Sequence, residues 1–214
     1  MNRIGIMGGT FDPIHIGHVM LGIAAKTQFS LDRVWFMPTG VPAYKNGCRT
    51  VTEGAHRAAM TALAICDHEG LELSEIELQR VGNTYTADTL EQLCREHPDH
   101  QYYYIVGADS LDYMDQWYHP EMIFRHAVVL AARRNTQTEA SLLATMRFLQ
   151  KKYQADIRLM DVPEIPISSS AIREGIRQGK DMSDWVDQRV LSYIQKHGLY
   201  LPVVQNAERE QDNG

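Results

Sequence analysis

Two histidines, His15 and His18, stand three residues apart behind a glycine pair, Gly8 and Gly9. Thr10, Phe11, Asp12, Pro13 and Ile14 fill the gap between the glycines and the first histidine. An apolar run over residues 4–7 precedes the glycines, and a helix-compatible stretch, residues 19–29, follows the second histidine. The order is buried strand, glycine turn, polar loop, helix start. Residues at i and i+3 of a first helical turn share a face. The N–H groups of that turn favour an anion, and glycines let backbone approach a phosphate closely. The stretch therefore reads as a phosphate or nucleotide site. It is neither the GxGxxG nor the GxxxxGK[ST] phosphate motif. A zinc reading of His-x-x-His needs a third ligand of matching geometry, and the sequence singles none out. No Ser-His-Asp or Cys-His pattern presents a nucleophile. The chemistry indicated is positioning and charge stabilisation.

The elements that must hold these residues follow from periodicity and turn chemistry. Buried strands are predicted at 4–7, 34–38, 101–106, 127–132 and 157–160. Alternation over 71–78 predicts another strand or strand pair, and 83–85 reads as a turn. Helices are predicted from 52 to about 67 with Thr52 as cap, and from 86 to before Pro98. Others follow at 120–126, with Pro120 at the first position, at 139–153, from the caps Ser168–Ser170 to 178, and at 187–197. Residues 39–50 read as a loop. The regular alternation predicts an α/β fold: a doubly wound, mostly parallel sheet with helices on both faces and a small C-terminal helical part. One domain is expected over residues 1–201, with a polar, fraying tail at 202–214.

Composition agrees. The chain has 214 residues, 44% of them hydrophobic, and a net charge of −6. That suits one core and argues against a broad nucleic-acid surface. The three cysteines fall in no metal or redox pattern, which fits a reducing compartment. The N-terminal apolar run is too short for a signal peptide, and no stretch is long enough to cross a membrane. A cytoplasmic protein with no nucleic-acid or membrane partner is the expectation.

Further stretches recur in a telling order: Val41-Pro42-Ala43-Tyr44-Lys45, Asn83-Thr84-Tyr85-Thr86-Ala87-Asp88-Thr89-Leu90, Ile105-Val106-Gly107-Ala108-Asp109-Ser110-Leu111, Trp117-Tyr118 and Ile167-Ser168-Ser169-Ser170-Ala171-Ile172-Arg173. With His15-Ile16-Gly17-His18 they resemble the HxGH nucleotidylyltransferases, and among these the bacterial nicotinate-nucleotide adenylyltransferases, over roughly residues 3–201. The resemblance implies a Rossmann-like fold and attack by the phosphate of nicotinate mononucleotide on the α-phosphorus of ATP. Pyrophosphate would leave, with no covalent enzyme intermediate. It implies His15, His18, Lys45 and Arg173 as the catalytic groups. ATP would be held by Gly8, Gly9, Thr10, Phe11, both histidines, Gly107, Asp109, Ile167, Ser168, Ser169 and Arg173. The mononucleotide would meet Lys45, Thr84, Tyr85, Thr86, Asp109, Trp117 and Arg134. Mg²⁺ would ride on phosphate oxygens and water rather than on protein ligands. The family's Pro-Pro-His-Lys loop here reads Pro42-Ala43-Tyr44-Lys45, so Tyr44 receives no phosphate role.

Rival readings remain open at this level. Another phosphorylated acceptor, such as phosphopantetheine or nicotinamide mononucleotide, would use the same chemistry. His-Ile-Gly-His is also the class I aminoacyl-tRNA synthetase signature, but the acidic balance, short chain and missing anticodon-binding domain oppose a tRNA-binding module. Lys45 and Arg173 beside both histidines oppose a non-catalytic nucleotide sensor. The oligomeric state, a homodimer included, is left open.

Overall fold

Strand β1 (Asn2–Gly9) is apolar on both faces from Ile4 to Met7 because it lies inside a parallel sheet covered by helices on either side. The structure, a computed structural model, describes residues 1–42, 51–132, 139–163 and 165–201. After β1 come α1 (Ile16–Gln28), β2 (Arg33–Pro38), β3 (Val41–Pro42), α2 (Gly54–Ile65), β4 (Leu71–Leu73), β5 (Asn83–Thr84) and α3 (Thr86–Glu96). Then follow β6 (His100–Gly107), α4 (Ala108–Leu111), a 3-10 turn (Met114–Gln116), α5 (Pro120–His126), β7 (Ala127–Ala132), α6 (Glu139–Tyr153), β8 (Ile157–Met160), α7 (Ser169–Arg177) and α8 (Gln188–Lys196).

Six parallel strands form one sheet in the order β4-β2-β1-β6-β7-β8. This is the doubly wound arrangement, with its reversal of strand order between β1 and β6. Pairing of these two strands ends at Ile6 with Tyr104, while β1 continues beside β2 as far as Gly9 with Pro38. Beyond Ile6 the two central strands therefore part and leave a crevice at their carboxyl ends.

The alternation of β6 sorts its side chains between two cores. Tyr103 and Ile105 face Val19 of α1, Met60 of α2, Ile172 of α7 and Val190 of α8. Tyr102, Tyr104 and Val106 face Leu90 of α3, Ile123 of α5 and Leu142 of α6. The C-terminal helices thus close the same core that α1 closes.

The predicted strands and helices appear, with four differences of physical origin. Helix α1 starts at Ile16, capped at His15, because the two histidines themselves close its first turn. Helix α2 starts after Glu53 rather than Thr52. Thr52 is occupied elsewhere: its N–H donates to Asp12 Oδ2 (3.4 Å) and its carbonyl accepts from Arg57 Nε (2.8 Å). Strand β4 stops at Leu73, since Ser74 makes the last bond to Phe36 and the chain turns at Glu75. Asn83–Thr84 is a short parallel strand against Val41–Pro42, not only a turn. The predicted loop beyond Pro42 and the tail from 202 lie outside the described residues.

One close approach sets the seat of α1. A Cβ on Gly22 would come within 2.6 Å of Phe36 Cζ, and that ring is fully buried. Gly22→Val should therefore cost about 1–3 kcal/mol through overpacking. Thermal unfolding would read this as a drop of roughly 2–4 °C per kcal/mol, and an unchanged midpoint would refute the account.

Candidate functional site

A cleft of about 510 Å³ opens where β1 and β6 part. Gly8, His15, Gly17 and His18 line it from the β1–α1 side. Tyr104, Gly107, Asp109, Ser110 and Trp117 line it from the β6 side. The chain leading into α7, with Ile165, Ile167, Ser168 and Ala171, closes the third side.

The two histidine rings lie against each other, with centroids 3.7 Å apart and planes 32° apart. The His15 N–H donates to His18 Nδ1 (3.3 Å). With Nδ1 accepting, Nε2 carries the proton of the His18 ring. His18 is thereby presented as a directed N–H donor at a helix start, a refinement of the simple cation read from sequence. Phe11 meets the His18 ring edge-on at 5.1 Å and also packs on Phe36. Phe11 is buried and supports the imidazole from behind; it is not among the residues lining the cleft.

The glycine pair has structural neighbours of its own. A Cβ at Gly8 would lie 3.0 Å from Tyr104 Oη, and one at Gly9 would lie 2.8 Å from Phe11 Cε1. Helix α7 begins with a conventional cap, the Ala171 N–H donating to Ser168 Oγ (3.2 Å). Ser169 Oγ donates to the Pro13 carbonyl (2.9 Å), which ties that helix start to the β1–α1 loop. Arg173 is buried on the same loop. Its Nη1 donates to the Asp12 carbonyl and lies 3.9 Å from Asp12 Oδ2, and its Nη2 donates to Ser170 Oγ (3.0 Å).

Arg57 was not singled out by sequence, yet it organises the loops behind the histidines. Its guanidinium is buried and donates to the carbonyls of Thr10 (2.8 Å), Thr39 (2.7 Å) and Thr52 (2.8 Å). Burial lowers its pKa from the ordinary arginine value, opposed by the nearby Asp12 carboxylate and then Tyr200. A signal existed: helical spacing from the inward Met60, Thr61 and Ala64 places residue 57 on the same buried face. Tyr104 was missed as well, because a tyrosine in an aromatic strand reads as core.

Tyr104 joins the second half of the site to the first. Its hydroxyl is 3.2 Å from Thr86 Oγ1, and its ring meets Trp117 edge-on at 6.2 Å. Tyr85 stands at the N-cap position of α3, and its ring packs against Tyr118, centroids 4.2 Å apart and planes tilted by 30°. Thr84 is buried. Thr84, Tyr85 and Thr86 do not line the cleft themselves; they approach it through Tyr104. Of the expected residues, His15, His18, Gly8, Gly107, Asp109, Trp117, Ile167 and Ser168 are gathered in one cleft. Gly9, Thr10, Phe11, Ser169 and Arg173 stand behind it, while Lys45 and Arg134 fall outside the described residues. Among the described residues no three His, Cys, Asp or Glu side chains converge as a metal cage.

The cytidylyltransferase-like family model matches residues 6–175 of the chain. A protein of Lachnoclostridium phytofermentans named "Probable nicotinate-nucleotide adenylyltransferase" is 41% identical over 201 residues, covering 94% of this chain and 100% of that one. One of Synechococcus sp. (strain JA-3-3Ab) with the same name is 38% identical, over 93% of this chain and 95% of its own. The fold is that of Plasmodium falciparum nicotinic acid mononucleotide adenylyltransferase complexed with NaAD, with a TM-score of 0.75 at 22% identity over 94% of this chain and 98% of that one. The same protein complexed with APC aligns with a TM-score of 0.74 at 23% identity, over 94% of this chain and 98% of that one.

Under the Thr84–Thr86 segment sits Glu77, a buried carboxyl that accepts from Thr89 Oγ1 (2.9 Å). Thr89 Oγ1 in turn accepts from Arg80 Nη1 (2.9 Å). Burial raises the Glu77 pKa above the ordinary 4.5, with Thr89 and Arg80 pulling the other way. A raised folded-state pKa gives stability that is full below the unfolded value and lost as pH rises through the folded one. Glu77→Gln should therefore gain stability relative to the parent as pH climbs above 4.5. Parallel pH profiles of the two unfolding midpoints would contradict that sign.

Proposed function

The chain belongs to the cytidylyltransferase-like family, and from that premise we propose that it transfers the adenylyl group of ATP to nicotinate mononucleotide. The products are nicotinate adenine dinucleotide, a precursor in NAD synthesis, and pyrophosphate. The observation that carries the reading is the His15–His18 ring pair, centroids 3.7 Å apart, at the strand-order switch point. The full-length similarity to relatives named for this reaction supports it.

A phosphate oxygen of the mononucleotide attacks the α-phosphorus. One P–O bond forms, the α–β P–O bond breaks, and pyrophosphate leaves with its electron pair. No protein nucleophile or proton transfer is required, so catalysis consists of alignment and charge stabilisation. His18, donating through Nε2 from the start of α1, meets the α-phosphate as negative charge shifts onto its oxygens. Gly8 and the first turn of α1 cradle the phosphates beside it. Ser168, with Ile167 before it, addresses the β- and γ-phosphates from the start of α7, and Arg173, buried behind it, adds positive charge to that side. Asp109 lies at the end of β6, where a carboxylate accepts ribose hydroxyls.

The acceptor lies on the Tyr104 side. Trp117 offers a ring face for the pyridine, and the N–H groups at the start of α3, around Tyr85 and Thr86, suit its carboxylate. Lys45 and Arg134 supply further charge. Asp109 is the one carboxylate among the described residues that line the cleft. That donor set suits a Mg²⁺ carried on phosphate oxygens and water and does not suit a protein cage. When bound, the ion neutralises phosphate charge. We assign the activity to one domain, residues 1–201.

Pyrophosphate release with ATP and Mg²⁺ tests the reading, comparing nicotinate and nicotinamide mononucleotides. Turnover is expected with the first and much less with the second, since backbone donors favour the charged carboxylate. Release with neither sinks the substrate assignment. His18→Ala should lose about 10²–10³-fold in kcat, while the lost capping contact lowers its unfolding midpoint by only a few degrees. A near-normal kcat would remove the histidine from the mechanism.

A further inference from the structure

Two tyrosines of β6 hold the two ends of α3. Tyr102 Oη donates to the carbonyl of Leu93, in the second half of the helix, at 3.1 Å. Tyr104 Oη lies 3.2 Å from Oγ1 of Thr86, the first residue of the helix. The two tyrosines stand two residues apart and so share one face of the strand. Their positions relative to the cleft differ. Neither Tyr102, which is fully buried, nor Leu93 lines it. Tyr104 does. Its strand partner is Ile6, the last residue of β1 that β6 matches before the two strands part.

The segment leading into α3 has no place in the six-stranded sheet. Asn83–Thr84 pairs with Val41–Pro42 in a separate two-stranded one. Tyr85, at the N-cap position, makes no side-chain cap. The Tyr104–Thr86 hydroxyl pair therefore ties the start of α3 to the fork of the main sheet. Gly8 leaves the space that Tyr104 Oη needs, since a Cβ there would stand 3.0 Å from it. The same tyrosine ring meets Trp117 at 6.2 Å with planes 85° apart. One side chain thus touches both the helix start and the indole assigned to the acceptor.

We propose that Tyr104 is a positioning residue for nicotinate mononucleotide, acting through Thr86 on the start of α3. Its hydroxyl sets where the first N–H groups of α3 stand relative to the Trp117 ring, and so whether the carboxylate and the pyridine of one ligand are met together. Removing the hydroxyl keeps the ring packing and releases the helix start. The ATP side is held by other bonds: the His15 N–H to His18, the Ser168 cap and the Ser169 tie to Pro13. The loss therefore falls on the acceptor.

This inference rests on the acceptor site proposed above, and the experiment separates the two. KM for the mononucleotide and for ATP is measured for the parent, Tyr104→Phe, Thr86→Val, the double variant and Tyr102→Phe. Calorimetric Kd for nicotinate mononucleotide and unfolding midpoints are taken alongside. Tyr104→Phe is expected to raise KM and Kd for the mononucleotide about three- to tenfold. KM for ATP should stay within about twofold. Thr86→Val should do the same, and the double variant should exceed either single change by less than about twofold. Tyr102→Phe, which frees the other end of the helix, should lower the midpoint and leave both KM values within about twofold. An unchanged mononucleotide KM in Tyr104→Phe, equal rises in both KM values, full additivity, or the same KM shift from Tyr102→Phe overturns the proposal. If Thr86→Val does not fold, the KM split in Tyr104→Phe and the Tyr102→Phe control decide. A parent that binds the mononucleotide and releases no pyrophosphate refutes the reaction alone, and calorimetry then judges Tyr104. A parent that binds no nicotinate mononucleotide overturns both.

Discussion

A buried arginine holds together the ends of three chain segments that would otherwise be independent loops. Arg57, 3% exposed, donates to Thr10 after β1, Thr39 after β2 and Thr52 before α2. A guanidinium taken out of water is costly unless its donors are satisfied and a counter-charge lies near. Asp12 provides that charge. The cost makes the geometry specific: the loops must converge for the arginine to be buried at all. Once they converge, the path from Gly9 to His15 is set, and with it the direction in which α1 leaves. The histidine pair inherits its position from a charge cluster that takes no part in lining the cleft.

Tyr104 plays the corresponding part between the two halves of the site. Its hydroxyl occupies the space where Gly8 would carry a side chain and lies 3.2 Å from Thr86. Its ring carries the edge of Trp117. The glycine and the tyrosine are therefore one steric decision. A larger residue at position 8 would displace the hydroxyl that links the end of β1 to the start of α3. The two halves of the cleft meet across a single side chain of β6, which is why the strand-order reversal, and not either strand alone, makes the cleft.

Much of this was legible from residue order. The continuous apolar runs of β1, β6 and β7 announce strands covered on both faces, and their alternation with helices announces a parallel sheet. The Ser168 cap and Pro120 at a helix start are local chemistry and fall where expected. The misreadings share a cause. Thr52 looked like a cap because threonine caps helices, but its backbone was claimed by Asp12 and Arg57. The stretch after Leu73 alternated like a strand, but the sheet edge ends there and the chain turns back toward Glu77, over Thr89. In each case a long-range partner outweighed a local preference.

By itself, the sequence determined the kind of chemistry and the kind of fold. Glycines, a histidine pair at helical spacing, and strand and helix periods act over a few residues and survive without knowledge of the rest of the chain. Tertiary structure alone decided which charges would be buried together and which side chains would face the cleft. Asp12 meets Arg173 across 161 residues and Tyr200 across 188. Such partners are chosen by the cost of leaving a buried polar group unsatisfied. That cost arises only when the sheet has brought the segments into a common interior.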